Sequence, residues 1–239
     1  MRIFTKSLLA LALLLVASGV NAQKAWQKIA TQGWCHEYRD GSDQQTDAAA
    51  LTDADGAYVV HALSQDQMNE IKAGVEGYSF QSWDSQFFIT WDEADALMEG
   101  DKIKVTMKVR ADADPSASVG TQAHANPGNY NYWTGIGNVT FTTEWATYES
   151  GEVEVTKNMS VGEGGDKPGF YSIAFNLALG EENTFYFKDI VVEVYADKKT
   201  TKTVVSTKYD WNVLISNGDA EGDDHFHNYY YIDYNLFEY

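Results

Sequence analysis

The chain has 239 residues, a single cysteine, and 35 acidic against 17 basic residues, for a formal net charge of −18. A surface this acidic repels nucleic acid and anionic lipid, so the basic patch of a nucleic-acid binder is excluded. One cysteine excludes an internal disulfide, and a hydrophobic core, alone or with a metal ion, must hold the fold.

The first stretch, "MRIFTKSLLALALLLVASGVNAQ", places Arg2 and Lys6 before ten apolar residues from Leu8 to Ala17 and a small-residue exit at Val20-Asn21-Ala22. That pattern predicts a secretory signal peptide over 1–22, cut after Ala22. The apolar run is too short to span a bilayer, and no later stretch reaches about 18 apolar residues, so membrane insertion is not expected. Cys35 does not follow the cleavage site, which argues against a lipid-bearing N-terminal cysteine. The expectation is an exported, soluble protein in the periplasm, at the outer cell surface or outside the cell. Without Arg2 and Lys6 its formal charge is 15 − 35 = −20, and uncharged partners suit it better than acidic ones.

Along the chain the hydrophobic period is two. Residues 24–75 are the least regular, with "GAYVVHAL" read as a strand and "DQMNEIKA" as a short helical turn. In "WDSQFFITW", Phe87, Ile89 and Trp91 are in phase and Gln86 opposes them. "DKIKVTMKVRA" alternates strictly, with Ile103, Val105, Met107 and Val109 on one face and Lys102, Lys104, Thr106, Lys108 and Arg110 on the other. "ASVGTQAH", "NVTFT", "GEVEVT", "FYSIAFNL" and "TFYFKDIVVEV" read as further strands. Turn signals separate them at Asp114-Pro115, Asn126-Pro127-Gly128 and Gly162 to Gly169. Short strands with almost no helix predict an all-β fold, a two-sheet antiparallel β-sandwich of the jelly-roll kind, over 23–196. Residues 197–239 read as a polar linker and a tail rich in tyrosine and acid.

"LMEGDKIKVTMKVRA", "TQAHANPGNYNYWTGIGNVTFTTEWATY", "SIAFNL" and "FYFKDIVVEV" resemble the galactose-binding-like jelly-roll carbohydrate-binding modules grouped with families 4, 9 and 22, as found in secreted bacterial glycan-degrading proteins. The resemblance covers about residues 78–196 well and 24–77 poorly. "LISNGDAEGDD" resembles the opening strand of another such module, with Ala220 where the family has an aromatic residue. The tail is then either a truncated second module or a strand that completes the first. The resemblance implies a non-catalytic module for a neutral plant-type polysaccharide or oligosaccharide, xylan or a β-glucan. A glycoside hydrolase or a cell-surface assembly is the implied partner. It also implies one structural calcium: Asp189 matches the family's position near the final strand, and Asp219 and Glu221 match its opening phrase. Those two parts belong to different modules if the tail is a fragment.

The residues support the same reading. A sugar ring offers a face of C–H groups to aromatic rings, and a rim of hydroxyls that must find partners when desolvated. Ser118, Gly120, Gln122 and His124 share one strand face, while Ser172, Ala174 and Asn176 make a small, polar face opposite Tyr171, Ile173, Phe175 and Leu177. With Arg110 these faces would floor a polar groove walled by Tyr130, Tyr132 and Trp133. Trp83, Trp91 and Trp145 read instead as core or edge packing. His124 alone would be structural, and Arg110 equally suits a solvated strand end beside Asp112.

Hydrolysis of a glycoside needs two flanking carboxylates. Glu152 and Glu154 share a strand face, but Val153 stands where jelly-roll glycosidases carry a middle acid, so an exposed face is the better reading. "VGEGGDKPG" lacks the ending of a phosphate loop, and His225 and His227 alone are a weak metal signal. Two other readings stand beside the binding module: a structural or adhesive sandwich without sugar binding, and a fragment of a glycoside hydrolase whose catalytic part is absent.

Overall fold

The computed structural model describes residues 24–39, 42–46 and 55–197. The expected signal peptide and the tail with Asp219, Glu221, His225 and His227 lie outside the described residues. Twelve strands, β1 (Ala25–Ile29), β2 (Gln32–Arg39), β3 (Ser42–Thr46), β4 (Tyr58–Ala62), β5 (Gln86–Thr90), β6 (Lys102–Ala111), β7 (Gly120–His124), β8 (Tyr130–Trp133), β9 (Ala146–Glu149), β10 (Val153–Glu154), β11 (Ser172–Asn176) and β12 (Asn183–Ala196), form two six-stranded sheets. Among the described residues two short α-helices, α1 (Gln65–Ile71) and α2 (Lys157–Val161), lie in the connections.

In the first sheet β12 lies between β6 and the pair β1 and β4, and β6 carries β9 and β10 on its other side. The second sheet runs β3-β2-β5-β11-β7-β8. Every pairing is antiparallel, as the sandwich predicts.

The strict alternation of β6 is realised: Ile103, Val105, Met107 and Val109 are fully buried, while the lysines and Arg110 face outward. Opposite them, Phe87, Ile89, Ala123, Ile173 and Phe175 of the second sheet complete the core. Phe187 ties the layers together, stacked on Phe87 at 4.1 Å and edge-on to Phe175 and Phe141 at 5.4 Å. β5 and β11 are buried along their whole length, so both faces of the second sheet's centre are covered. That explains why "WDSQFFITW" alternates imperfectly.

"GAYVVHAL" supplies β4, and "DQMNEIKA" supplies most of α1, capped by reciprocal bonds between Ser64 and Gln67. "NVTFT" forms no strand; only Val139 bridges, to Val119. "GEVEVT" contributes just Val153–Glu154. β2 gave no apolar signal because its core-facing residues are Gly33 and Cys35. Tyr58 and Phe87 fill the space a Cβ on Gly33 would need, approaching within 2.9–3.0 Å of it.

β7 and β8 form a hairpin closed around Asn126-Pro127-Gly128, with Asn129 N–H donating to Asn126 O at 2.9 Å and Gly128 at φ +77°. The expected wall aromatics therefore stand on a paired strand. Gln122 pairs with Trp133, Ala123 with Tyr132 and His124 with Tyr130, which leaves Asn131 as an extra, bulged residue. Period two would put Tyr130 and Tyr132 on one face; the bulge puts Tyr130 and Trp133 there and turns Tyr132 onto the core. Asn131 is fully buried and its Nδ2 donates to Gly169 O at 2.7 Å and Met159 O at 3.4 Å. Asn131→Ala strands those buried carbonyls. Urea unfolding should show a loss of about 1–3 kcal/mol.

Candidate functional site

The strand registers stack the outward residues of the second sheet in three cross-strand rows. The first runs His36, Gln86, Asn176, Gly120. The second runs Trp34, Phe88, Ala174, Gln122, Trp133. The third runs Gln32, Thr90, Ser172, His124, Tyr130. Strands lie about 4.8 Å apart, so the second row places its two tryptophans roughly 19 Å from each other. Gly120, Ala174 and Ser172 are the small residues of these rows, and Ala174 and Ser172 are fully buried.

The amides form one network. Gln86 Nε2 donates to Asn176 Oδ1 at 2.7 Å and to Gln122 Oε1 at 3.3 Å. Gln122 Oε1 also lies 3.2 Å from His124 Nε2; since that oxygen only accepts, His124 carries its proton on Nε2. Three atoms on this face are left without a partner inside the protein: Asn176 Nδ2, Ser172 Oγ and His124 Nδ1. They are a donor, a hydroxyl and an acceptor, each costing about 1–3 kcal/mol while unpaired. Burial above all, with the Lys167 charge second, pulls the His124 pKa down from 6.5 to about 4, so the ring is neutral near pH 7.

The aromatic rim is built from distant parts of the chain. Trp133 is 43% exposed and meets Trp83, 44% exposed, edge-on at 6.0 Å. Trp83 sits on the short 3-10 turn Ser82–Asp84 that leads into β5. At the other end Trp34, half-buried, packs edge-on against Phe88 at 5.1 Å. Tyr130, half-buried, lies 5.8 Å from the His124 ring and donates its hydroxyl to Glu163 at 3.3 Å. Desolvation first, and Glu163 second, hold the Tyr130 phenol above its ordinary range.

Of the residues picked out by sequence, Gln122, His124, Asn176, Tyr130 and Trp133 thus share one face. Gln122, His124 and Asn176 are not open as expected: they are 5%, 3% and 1% exposed, and Ser172 and Ala174 beside them are fully buried. Tyr132 is corrected to a core-packing residue by the bulge at Asn131.

Arg110 is corrected too. It lies on the outer face of the first sheet, on the far side of the sandwich, over the Tyr186 ring at 3.6 Å and paired with Asp112 at 3.1 Å. Trp145 is half-buried on that same outer face, under Lys188 at 4.0 Å, while Trp91 is core as read. Trp83, which the sequence places in packing, is exposed and meets Trp133 across 50 residues of sequence, a contact no local pattern encodes. Trp34 and Gln86 were missed as site residues. Gln86, opposed in phase to Phe87 and Ile89, was the one visible signal.

Asp189 occupies a bulge in β12, between Lys188 and Val191, at φ +53°. Its carboxylate meets Lys108 Nζ at 2.8 Å, and that lysine holds its pKa below the usual range. Among the described residues no group of three or more His, Cys, Asp or Glu gathers there or elsewhere to hold a metal ion. The described residues at Asp189 do not by themselves fit calcium, whose sites take six to eight oxygens. Glu152 is exposed and clamped by Lys102 at 3.2 Å and Lys104 at 3.4 Å, as a solvated strand face requires.

No family model matches the chain, and no curated protein matches it. Among solved structures it is similar to a CBM4 module, at 15% identity and a TM-score of 0.41, covering 68% of this chain and 92% of that one. It is similar to the N-terminal cellulose-binding domain of Cellulomonas fimi β-1,4-glucanase C, at 15% identity and a TM-score of 0.39, covering 70% and 95%. A third is a family 29 carbohydrate-binding module complexed with mannohexaose, at 11% identity and a TM-score of 0.36, covering 72% and 92%.

Proposed function

We propose that this protein is an exported, non-catalytic module that binds a neutral polysaccharide or oligosaccharide across the outer face of the second sheet, with xylan or a β-glucan the preferred class. One observation carries the reading: Asn176 Nδ2, Ser172 Oγ and His124 Nδ1 lie unpaired on the same face that ends in the exposed Trp83–Trp133 pair. Sugar hydroxyls supply the missing partners and sugar C–H faces cover the rings. The acidic surface favours an uncharged chain over a polyanion. Micromolar to millimolar affinity, about −8 to −4 kcal/mol, suffices when a larger assembly keeps the module near its glycan.

Affinity electrophoresis of residues 23–239 against soluble xylans, β-glucans and mannans tests this directly. Retardation by a neutral glycan, with no release of reducing sugar, is the expected result. Free migration through every neutral glycan would overturn it. A second reading, a sandwich that serves protein contacts or adhesion, is favoured by the burial of Gln122 and His124; free migration on the same gels is its outcome.

A further inference from the structure

The loop from Gly162 to Gly169 runs beside β8 and carries Lys167. The stem of this lysine packs on the loop itself, with Cδ 3.5 Å from where a Cβ on Gly162 would stand. Its Nζ donates to the carbonyl oxygen of Tyr130 and lies 6.0 Å from the centroid of the Tyr130 ring. Tyr130 ends the third row next to His124, 5.8 Å away ring to ring. The cation is therefore held at one end of the polar floor, half-buried.

Lys167 has no carboxylate partner among the described residues, in a chain with 35 acidic residues. Lys24, Lys102, Lys104, Lys108 and Arg110 have one; Lys28, Lys157 and Lys188 also lack one among the described residues, but of these four only Lys167 is held beside the amide face, at Tyr130. The nearby acids are engaged elsewhere. Glu163 accepts from the Tyr130 hydroxyl at 3.3 Å, and Asp166 folds back over Gly164, its Oδ1 3.1 Å from where a Cβ there would stand. Only one of the three ammonium donors is used, and the Lys167 charge contributes to the lowered pKa of His124, which places the cation within electrostatic reach of the floor.

We infer that Lys167 receives a carboxylate carried as a sparse branch on an otherwise neutral glycan, a uronic acid substituent, at the Tyr130 end of the site. This rests on the saccharide reading above and sharpens it. The net charge of −18 disfavours a continuous polyuronate, while an isolated carboxylate meets one fixed, unpaired cation. The neutral rings lie over the amide rows and the tryptophans, and the branch extends past Tyr130.

Isothermal titration of the whole chain with xylohexaose, and with the same oligosaccharide bearing one glucuronic acid branch, tests the inference at low and high salt. The branched sugar should bind about 2- to 5-fold more tightly at low salt. The preference should shrink at high salt, as an exposed ion pair does. Lys167→Gln should remove it while leaving the affinity for unbranched xylohexaose unchanged. Equal affinities for the two sugars, or a preference that survives in Lys167→Gln, would overturn the role of Lys167 and leave the saccharide site standing. Binding of neither sugar would overturn the inference and exclude xylan, while the saccharide reading itself falls only with free migration through every neutral glycan.

Discussion

The Trp83→Ala/Trp133→Ala double variant is expected to lose about 100-fold or more in affinity for any glycan that retards the wild type. Trp83 is 44% and Trp133 43% exposed, so each keeps a large open face while the rest of its surface is buried against the protein. The two rings also meet each other, edge-on at 6.0 Å. A platform of two indoles covers sugar C–H surface that would otherwise sit in water, and truncation removes that surface without leaving an internal cavity. The single variants should each cost about 10-fold, with coupling between them because the rings touch. In urea unfolding the double variant should lose less free energy of stability than it loses in binding. A matching loss of stability would place these rings in the core after all.

Acid is expected to destabilise the protein through His124. Its pKa is about 4 when folded and 6.5 when free, burial being the main cause and Lys167 the second. The unfolded chain therefore binds more protons between these values, and the contribution is full above pH 6.5 and lost as pH falls toward 4. The whole shift corresponds to about 3 kcal/mol, of which about 2 kcal/mol should go between roughly pH 7 and pH 5. Relief of repulsion among the excess acidic groups acts in the opposite direction over the same range. The decisive readout is thus the difference in slope between wild type and His124→Gln in urea titrations. His124→Gln should show the flatter loss of stability on acidification whatever its absolute stability. Parallel slopes would mean that the ring is free to take up a proton when folded.

Much of the second sheet was legible because period two survives wherever a strand is regular. Gly120, Gln122 and His124 on β7, and Ser172, Ala174 and Asn176 on β11, fall on one face in the sequence and in the structure. The same rule placed β6 correctly but could not say that Arg110 belongs to the other sheet, since sheet membership is a matter of distant pairing. It failed at β8, where the extra residue Asn131 shifts the phase and exchanges Tyr132 for Trp133. It also failed at β2, whose core positions are glycine and cysteine and carry almost no apolar signal. Trp83 looked like packing because its partner, Trp133, is remote in sequence. The burial of Gln122 and His124 was likewise invisible, since the tally of neighbours around a polar side chain is set by the assembled sandwich.

The central claim is that a saccharide lies on the outer face of the second sheet. Its most direct test is a titration of the labelled protein with xylohexaose and cellohexaose, followed by NMR at the side-chain amides of Gln86, Gln122 and Asn176 and the indole N–H groups of Trp83 and Trp133. The account predicts that these signals move together, with a common dissociation constant, while the indoles of Trp26 and Trp145 on the first sheet stay still. Shifts confined to Trp26, Trp145 and their neighbours, or no shifts at all, would contradict it.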